Sequence, residues 1–134
     1  MEDEEVERLL QRKMRELVEK RVKKEREERL TPLNLDGRSF EEAIRSKPLA
    51  LVDFWADWCA PCKVMHPIFD KLCKKYGDKV FFGRLNVDEH SLVAARYNVF
   101  SIPTFVLFRN GVEVAREVGA VGELGLERIL LRYV

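Results

Sequence analysis

Asp53 stands inside an otherwise apolar run, LALVDFWA, and two cysteines follow it six and nine residues later in the segment WCAPC. An unpaired ionised carboxylate in an apolar interior costs several kcal/mol even after relaxation, on the order of the stability of a whole small domain. A residue that expensive points to chemistry. The C-x-x-C spacing supplies it, because two sulfurs three residues apart at the start of a helix can close a small ring. The first thiol then lies at the open end of the helix and the second one turn inside. Unpaired N–H groups and the helix dipole at that end favour a thiolate and lower the pKa of Cys59 below the free value of about 8.5. Pro61 falls in the first turn, where its missing N–H costs little. Cys59 is thus expected to be the nucleophile of a thiol–disulfide exchange and Cys62 the resolving thiol.

The same cysteines could instead be half of a zinc site, with His66, four residues after Cys62, as a further ligand. A fourth ligand is missing locally and there is no second C-x-x-C, so a redox pair is the reading carried forward and no metal is expected. His66 is then read as a helix-surface residue, and His90, with no cysteine near it in sequence, has no assigned role. Cys73 lies eleven residues after Cys62, about 16 Å along a straight helix and beyond disulfide reach, which makes it a small core residue.

These residues need elements to hold them. Residues 49 to 56 are apolar apart from Asp53 and read as a central strand buried on both faces. From Cys59 to about Tyr76, the residues Cys62, Met65, Phe69, Leu72, Cys73 and Tyr76 recur at helical spacing, and Gly77-Asp78 closes that helix. Before the strand, Ser39-Phe40-Glu41-Glu42 has the form of a helix start, with an end expected near Lys47-Pro48. After it come a strand over 79 to 87 and a short helix over 91 to 97. Two more strands, 104 to 108 and 112 to 118, flank the hairpin signal Asn110-Gly111, and a helix follows over about 123 to 132. The order β-α-β-α-β-α-β-β-α implies a mixed α/β sheet with helices on both faces.

Residues 1 to 29 differ in kind: they hold ten acidic and ten basic residues and no glycine or proline. They read as one long, charged, amphipathic helix, with acids at its start and bases at its end in the order that complements the helix dipole. Val6, Leu10, Met14, Leu17 and Val22, widened by Leu9 and Val18, give it an apolar face. That face could lie on the chain's own domain, associate with a second copy, or dock another protein. Leu30-Thr31-Pro32 breaks the helix, and residues 30 to 134 form the second domain. With a net charge of +1 over 134 residues, neither nucleic acid nor an anionic membrane is an expected partner. The chain has no run of eighteen apolar residues and opens MEDEEVER, unlike a secretory signal, so a cytoplasmic location is expected. Three cysteines, two of them in one C-x-x-C, argue against a structural disulfide framework. A charged fraction of 35%, with Gln11 the single glutamine, suits a thermophile.

The segments VDFWADWCAPCK, LNVD and SIPTFVLFRNG, together with Pro67 and VGA at 118 to 120, make this chain similar to the thioredoxin family from about residue 33 to its end. The resemblance implies the thioredoxin fold and exchange with disulfides of other proteins. It implies that Cys59 attacks, that Cys62 resolves the mixed disulfide, and that Asp53, buried behind the pair, handles the proton of Cys62. Pro103 would be a cis proline beside the sulfurs, and the Ile102 backbone would pair with the substrate chain. Trp58, Ala60, Pro61 and Gly119 would complete the substrate surface, with Trp55 packed beneath the site. No bound cofactor is implied, and reducing equivalents would come from a thioredoxin reductase. Two departures stand out: Ala60 replaces the usual glycine between the cysteines, and Arg84 stands where many members carry a lysine near the buried aspartate. Within the same chemistry an oxidase or isomerase is the alternative. From another class, a redox-silent interaction module is the competitor, and the presence of both cysteines argues against it.

Overall fold

A computed structural model describes residues 2–134. The chain divides into two units, Met1–Leu30 and Thr31–Val134. The first is the helix α1 (Glu2–Arg29), with Glu2, Asp3, Glu4 and Glu5 in its first turn and Arg26 and Arg29 in its last. None of its described residues is buried, and the apolar stripe is exposed along its length, with Met14 at 65% and Leu17 at 66%.

The second unit runs β1 (Leu33–Asn34), α2 (Phe40–Ile44), β2 (Leu49–Trp55), α3 (Ala60–Tyr76), β3 (Val80–Asn86), α4 (Ser91–Arg96), β4 (Thr104–Arg109), β5 (Val112–Val118) and α5 (Gly122–Leu131). Its five strands lie in the order β1-β3-β2-β4-β5. β3 is parallel to both β1 and β2, whereas β4 is antiparallel to β2 and to β5, which makes the sheet mixed. The turn between β4 and β5 places Asn110 at φ 51° and Gly111 at φ 81°, the positive pair that a two-residue hairpin requires.

Alternation along β2 decides what each face of the sheet sees. Leu49 and Leu51 point into a cluster with Met65, Phe69 and Leu72 of α3 and Leu126, Ile129 and Leu130 of α5. Ala50, Val52 and Phe54 point the other way, to Phe40 and Ile44 of α2 and Val93 and Ala94 of α4. Asp53 continues the first series. It therefore enters the core under α3 and α5 and is fully buried there.

Two expectations need correction. The helix expected over 39 to 47 is only five residues long, and Ser39 does not cap it through its side chain. Instead Asp36 turns the chain: its Oδ1 accepts from the N–H groups of Arg38 at 2.9 Å and Ser39 at 2.8 Å. At the other end Ser46 Oγ donates to the Ala43 carbonyl at 2.6 Å, which competes with a further helical turn before Pro48.

Candidate active site

Cys59 is the N-cap of α3, in extended backbone conformation at φ −90° and ψ 101°. Its Sγ accepts the N–H of Cys62 at 3.2 Å, so one of the helix's unpaired donors is aimed at that sulfur. The two sulfurs are bonded to each other, across a Cα separation of 5.3 Å that suits a disulfide. Both residues are nearly inaccessible, whereas Ala60 and Pro61 between them are exposed. The turn that enters the helix is fixed by Cys59, which donates its N–H to the Ala56 carbonyl at 3.2 Å.

Pro103 follows a cis peptide bond from Ile102. It immediately precedes β4, whose first residue, Thr104, pairs with Phe54 near the C-terminal end of β2. That pairing brings Ile102 and Pro103 to the edge of the sheet from which the Cys59 turn departs. Gly119 joins them: its N–H donates to the Pro103 carbonyl at 2.8 Å, at φ +97°, a conformation that side chains other than glycine rarely adopt. Trp58 is 72% exposed beside the disulfide, and its Nε1–H donates to Asp88 Oδ2 at 2.8 Å. The N–H of Asp88 in turn donates to Asn86 Oδ1 at 2.9 Å, which ties the indole to the end of β3.

Asp53 has a polar neighbourhood that depends on strand register. β2 and β3 set Arg84 opposite Asp53, and Arg84 Nε lies 3.5 Å from Asp53 Oδ2. The contact lacks hydrogen-bond geometry, and neither carboxylate oxygen of Asp53 has a hydrogen-bond partner. The Arg84 fork is engaged elsewhere: Nη2 donates to Asp70 Oδ1 at 2.7 Å and to the His66 carbonyl at 3.0 Å, and the guanidinium lies 5.1 Å from the Phe69 ring centre. Burial pushes the Asp53 carboxyl up from 3.8 to about 7, against the opposing pull of the Arg84 charge.

His66 corrects the expectation of a helix-surface residue. It packs edge-on against Trp55, ring centres 4.9 Å apart, and its Nε2 lies 3.7 Å from Asp53 Oδ2. Burial, followed by the Arg84 charge, lowers its pKa. Cys73 lies in the core under α3, and burial raises its thiol to about 11. Two site residues, Asp70 and Asp88, escape a reading of the sequence. Asp70 carries a signal, being four residues from His66 on the same helix face. Asp88 ends the LNVD segment, and nothing local to it announces a bond to an indole thirty residues away.

A disulfide at a helix N-terminus, a cis proline at the same sheet edge and a buried acid behind it define a dithiol–disulfide exchanger. The thioredoxin family model matches residues 31–132. A thioredoxin of Buchnera aphidicola subsp. Acyrthosiphon pisum is 44% identical over 99 residues, covering 73% of this chain and 92% of that protein. One of Mycoplasma genitalium is 45% identical over 82 residues, covering 61% and 79%. Among solved structures, a mutant thioredoxin from Halobacterium salinarum superposes with a TM-score of 0.73 at 30% identity, covering 78% of this chain and 91% of that one. Plasmodium falciparum thioredoxin gives 0.72 at 33%, covering 76% and 99%. The chain belongs to the thioredoxin family. It is a thiol–disulfide oxidoreductase of the protein disulfide reductase type, and Cys59–Cys62 is its redox pair. Among the described residues, no helix is long and apolar enough to cross a membrane.

Proposed function

We propose that each site residue has a separate task in reducing disulfides of other proteins. In the reduced protein the Cys59 thiolate attacks one sulfur of the target disulfide, and the other target sulfur leaves as a thiolate. Asp53 takes the proton of Cys62, whose thiolate then attacks Cys59 Sγ, forms the intramolecular disulfide and expels the second target thiol. Two electrons pass from the dithiol to the target. Trp58, Ala60, Pro61, Ile102, Pro103 and Gly119 form the surface on which the target chain docks. A thioredoxin reductase restores the dithiol from outside, with no cofactor bound to this chain, and the protein works in the cytoplasm. Residues 30 to 134 carry this chemistry, and residues 1 to 29 form a separate arm that associates with a second copy.

The observation that carries the division of labour is the Cys62 N–H aimed at Cys59 Sγ, since a donor at that position stabilises negative charge on the outer sulfur. Cys62→Ser is expected to accumulate targets as mixed disulfides on Cys59, and Cys59→Ser to accumulate none. Equal recovery of target on both variants, read on non-reducing gels, would overturn the assignment.

A further inference from the structure

The apolar face of α1 and the distribution of charge along it say how two copies would meet. We infer that α1 pairs with α1 of a second copy in an antiparallel arrangement. The inference rests on the reading of residues 1 to 29 as a self-association arm and adds its direction.

Two features of the helix carry it. Val6, Leu9, Leu10, Met14, Leu17, Val18 and Val22 are all more than 40% exposed. Of these, Leu10, Met14, Leu17 and Val18 fall within roughly 100° of one another around a helix of about 3.6 residues per turn, an apolar face that the same face of a second copy can cover.

Charge then selects direction. The first seven residues include the acids Glu2, Asp3, Glu4, Glu5 and Glu7, whereas the bases Lys20, Arg21, Lys23, Lys24 and Arg26 occupy the second half. A parallel, in-register pair would stack acids on acids at one end and bases on bases at the other, an arrangement that like-charge repulsion disfavours. An antiparallel pair instead brings the acidic start of each helix beside the predominantly basic second half of the other. The helix dipoles also oppose one another in this arrangement. The two chains leave such a pair at opposite ends, roughly 40 Å apart for helices of this length. The partner that fits this surface is therefore a second copy of this chain.

Neutralisation separates the two directions by sign. In the full-length protein, Glu2, Glu4, Glu5 and Glu7 are replaced together by glutamine, a residue of similar helix propensity. Removing these acids weakens an antiparallel pair and strengthens a parallel one. Sedimentation velocity over a concentration series is expected to show a dimer whose dissociation constant rises at least about tenfold in the variant. A second measurement reads geometry directly: a spin label on Glu28→Cys, in a Cys59→Ser/Cys62→Ser background where the remaining Cys73 is buried. Antiparallel pairing along the length of the helix places the two labels roughly 40 Å apart, and parallel, in-register pairing places them about 10 Å apart. A dimer with the short distance, or one tightened by neutralisation, overturns the antiparallel arrangement and leaves self-association standing. A monomer throughout the series, its α1 face then left for a different protein, overturns both.

Discussion

Asp53→Asn is expected to stabilise the oxidised protein at pH 8 and to leave it unchanged near pH 3. In the folded chain burial raises the carboxyl from 3.8 to about 7. Between those two values the folded protein holds a proton on Asp53 that the unfolded chain has released, so stability falls as pH rises. The slope is about 1.4 kcal/mol per pH unit, and over this interval the loss reaches roughly 4 kcal/mol. Above about pH 7 both states have lost the proton and the penalty is constant. Below about pH 3.8 both have kept it and the penalty is absent. Asparagine matches the neutral acid in shape and cannot ionise. The variant should therefore be level with wild type at pH 3, gain steadily from pH 4 to 7, and stay ahead by roughly 4 kcal/mol beyond. Urea denaturation of both oxidised proteins at four pH values measures the difference. A difference that does not change with pH would show that burial does not perturb Asp53, and a variant less stable than wild type at pH 8 would show that the Arg84 charge more than compensates for burial.

Arg84→Met removes the cation 3.5 Å from Asp53 and should move the Asp53 titration above pH 7, read as an upward shift of the acid limb in the pH profile of mixed-disulfide resolution. Asp88→Ala leaves the Trp58 indole without its acceptor; reduction of a protein disulfide should weaken through KM more than kcat, with a stability change under about 1 kcal/mol because the bond is exposed. A chain of residues 31–134 should unfold cooperatively within a few degrees of the full protein, because every member of both core clusters lies in that range; calorimetry that showed no cooperative transition would overturn the domain division.

What could be read in advance followed from how local each signal is. The cysteine pair, Pro61 and the helix behind them lie within one stretch of chain, and the Asn110-Gly111 hairpin needs only two residues. β2 was legible because a strand buried on both faces has few ways to be written other than as an apolar run, and Asp53 stood out against that background. Contacts that depend on tertiary register were not legible. Asp53 meets Arg84 because β2 and β3 pair with those residues opposite, 31 positions apart in sequence; the family resemblance implied that proximity, and no local signal shows it. Arg84 reaches Asp70 and the His66 carbonyl across the sheet–helix interface, and Trp58 reaches Asp88 thirty residues on. The expected order opens on a strand, but β1 is two residues long and has no periodicity that would place it. The end of α2 was lost because a serine hydroxyl and a proline act together there, and helix-start signals give no information on length.

In the exchange proposed above, where Asp53 takes the proton of Cys62, the cost of the carboxylate and its use are set by the same displacement. A thiol near its free pKa of about 8.5 gives a proton to a carboxylate of pKa 3.8 against nearly five powers of ten, and to one near 7 against only about one and a half. Without burial the carboxylate would be too weak a base for Cys62. Without a cation the acid's pKa would rise further and it would stay protonated at neutral pH. Arg84 supplies that cation, and because a guanidinium does not lose its charge, its pull is the same at every working pH. Its hydrogen bonds to Asp70 and the His66 carbonyl hold the fork away from Asp53, so the pull is partial and the carboxyl settles near 7. His66 Nε2 lies 3.7 Å from Asp53 Oδ2, and burial, followed by the same arginine's charge, lowers the imidazole pKa. A protonated imidazole there would draw Asp53 back towards the ordinary carboxylate range and remove the basicity that burial had created. The arginine thus acts on Asp53 twice, directly as a moderate counter-charge and indirectly by disfavouring a second positive charge beside it.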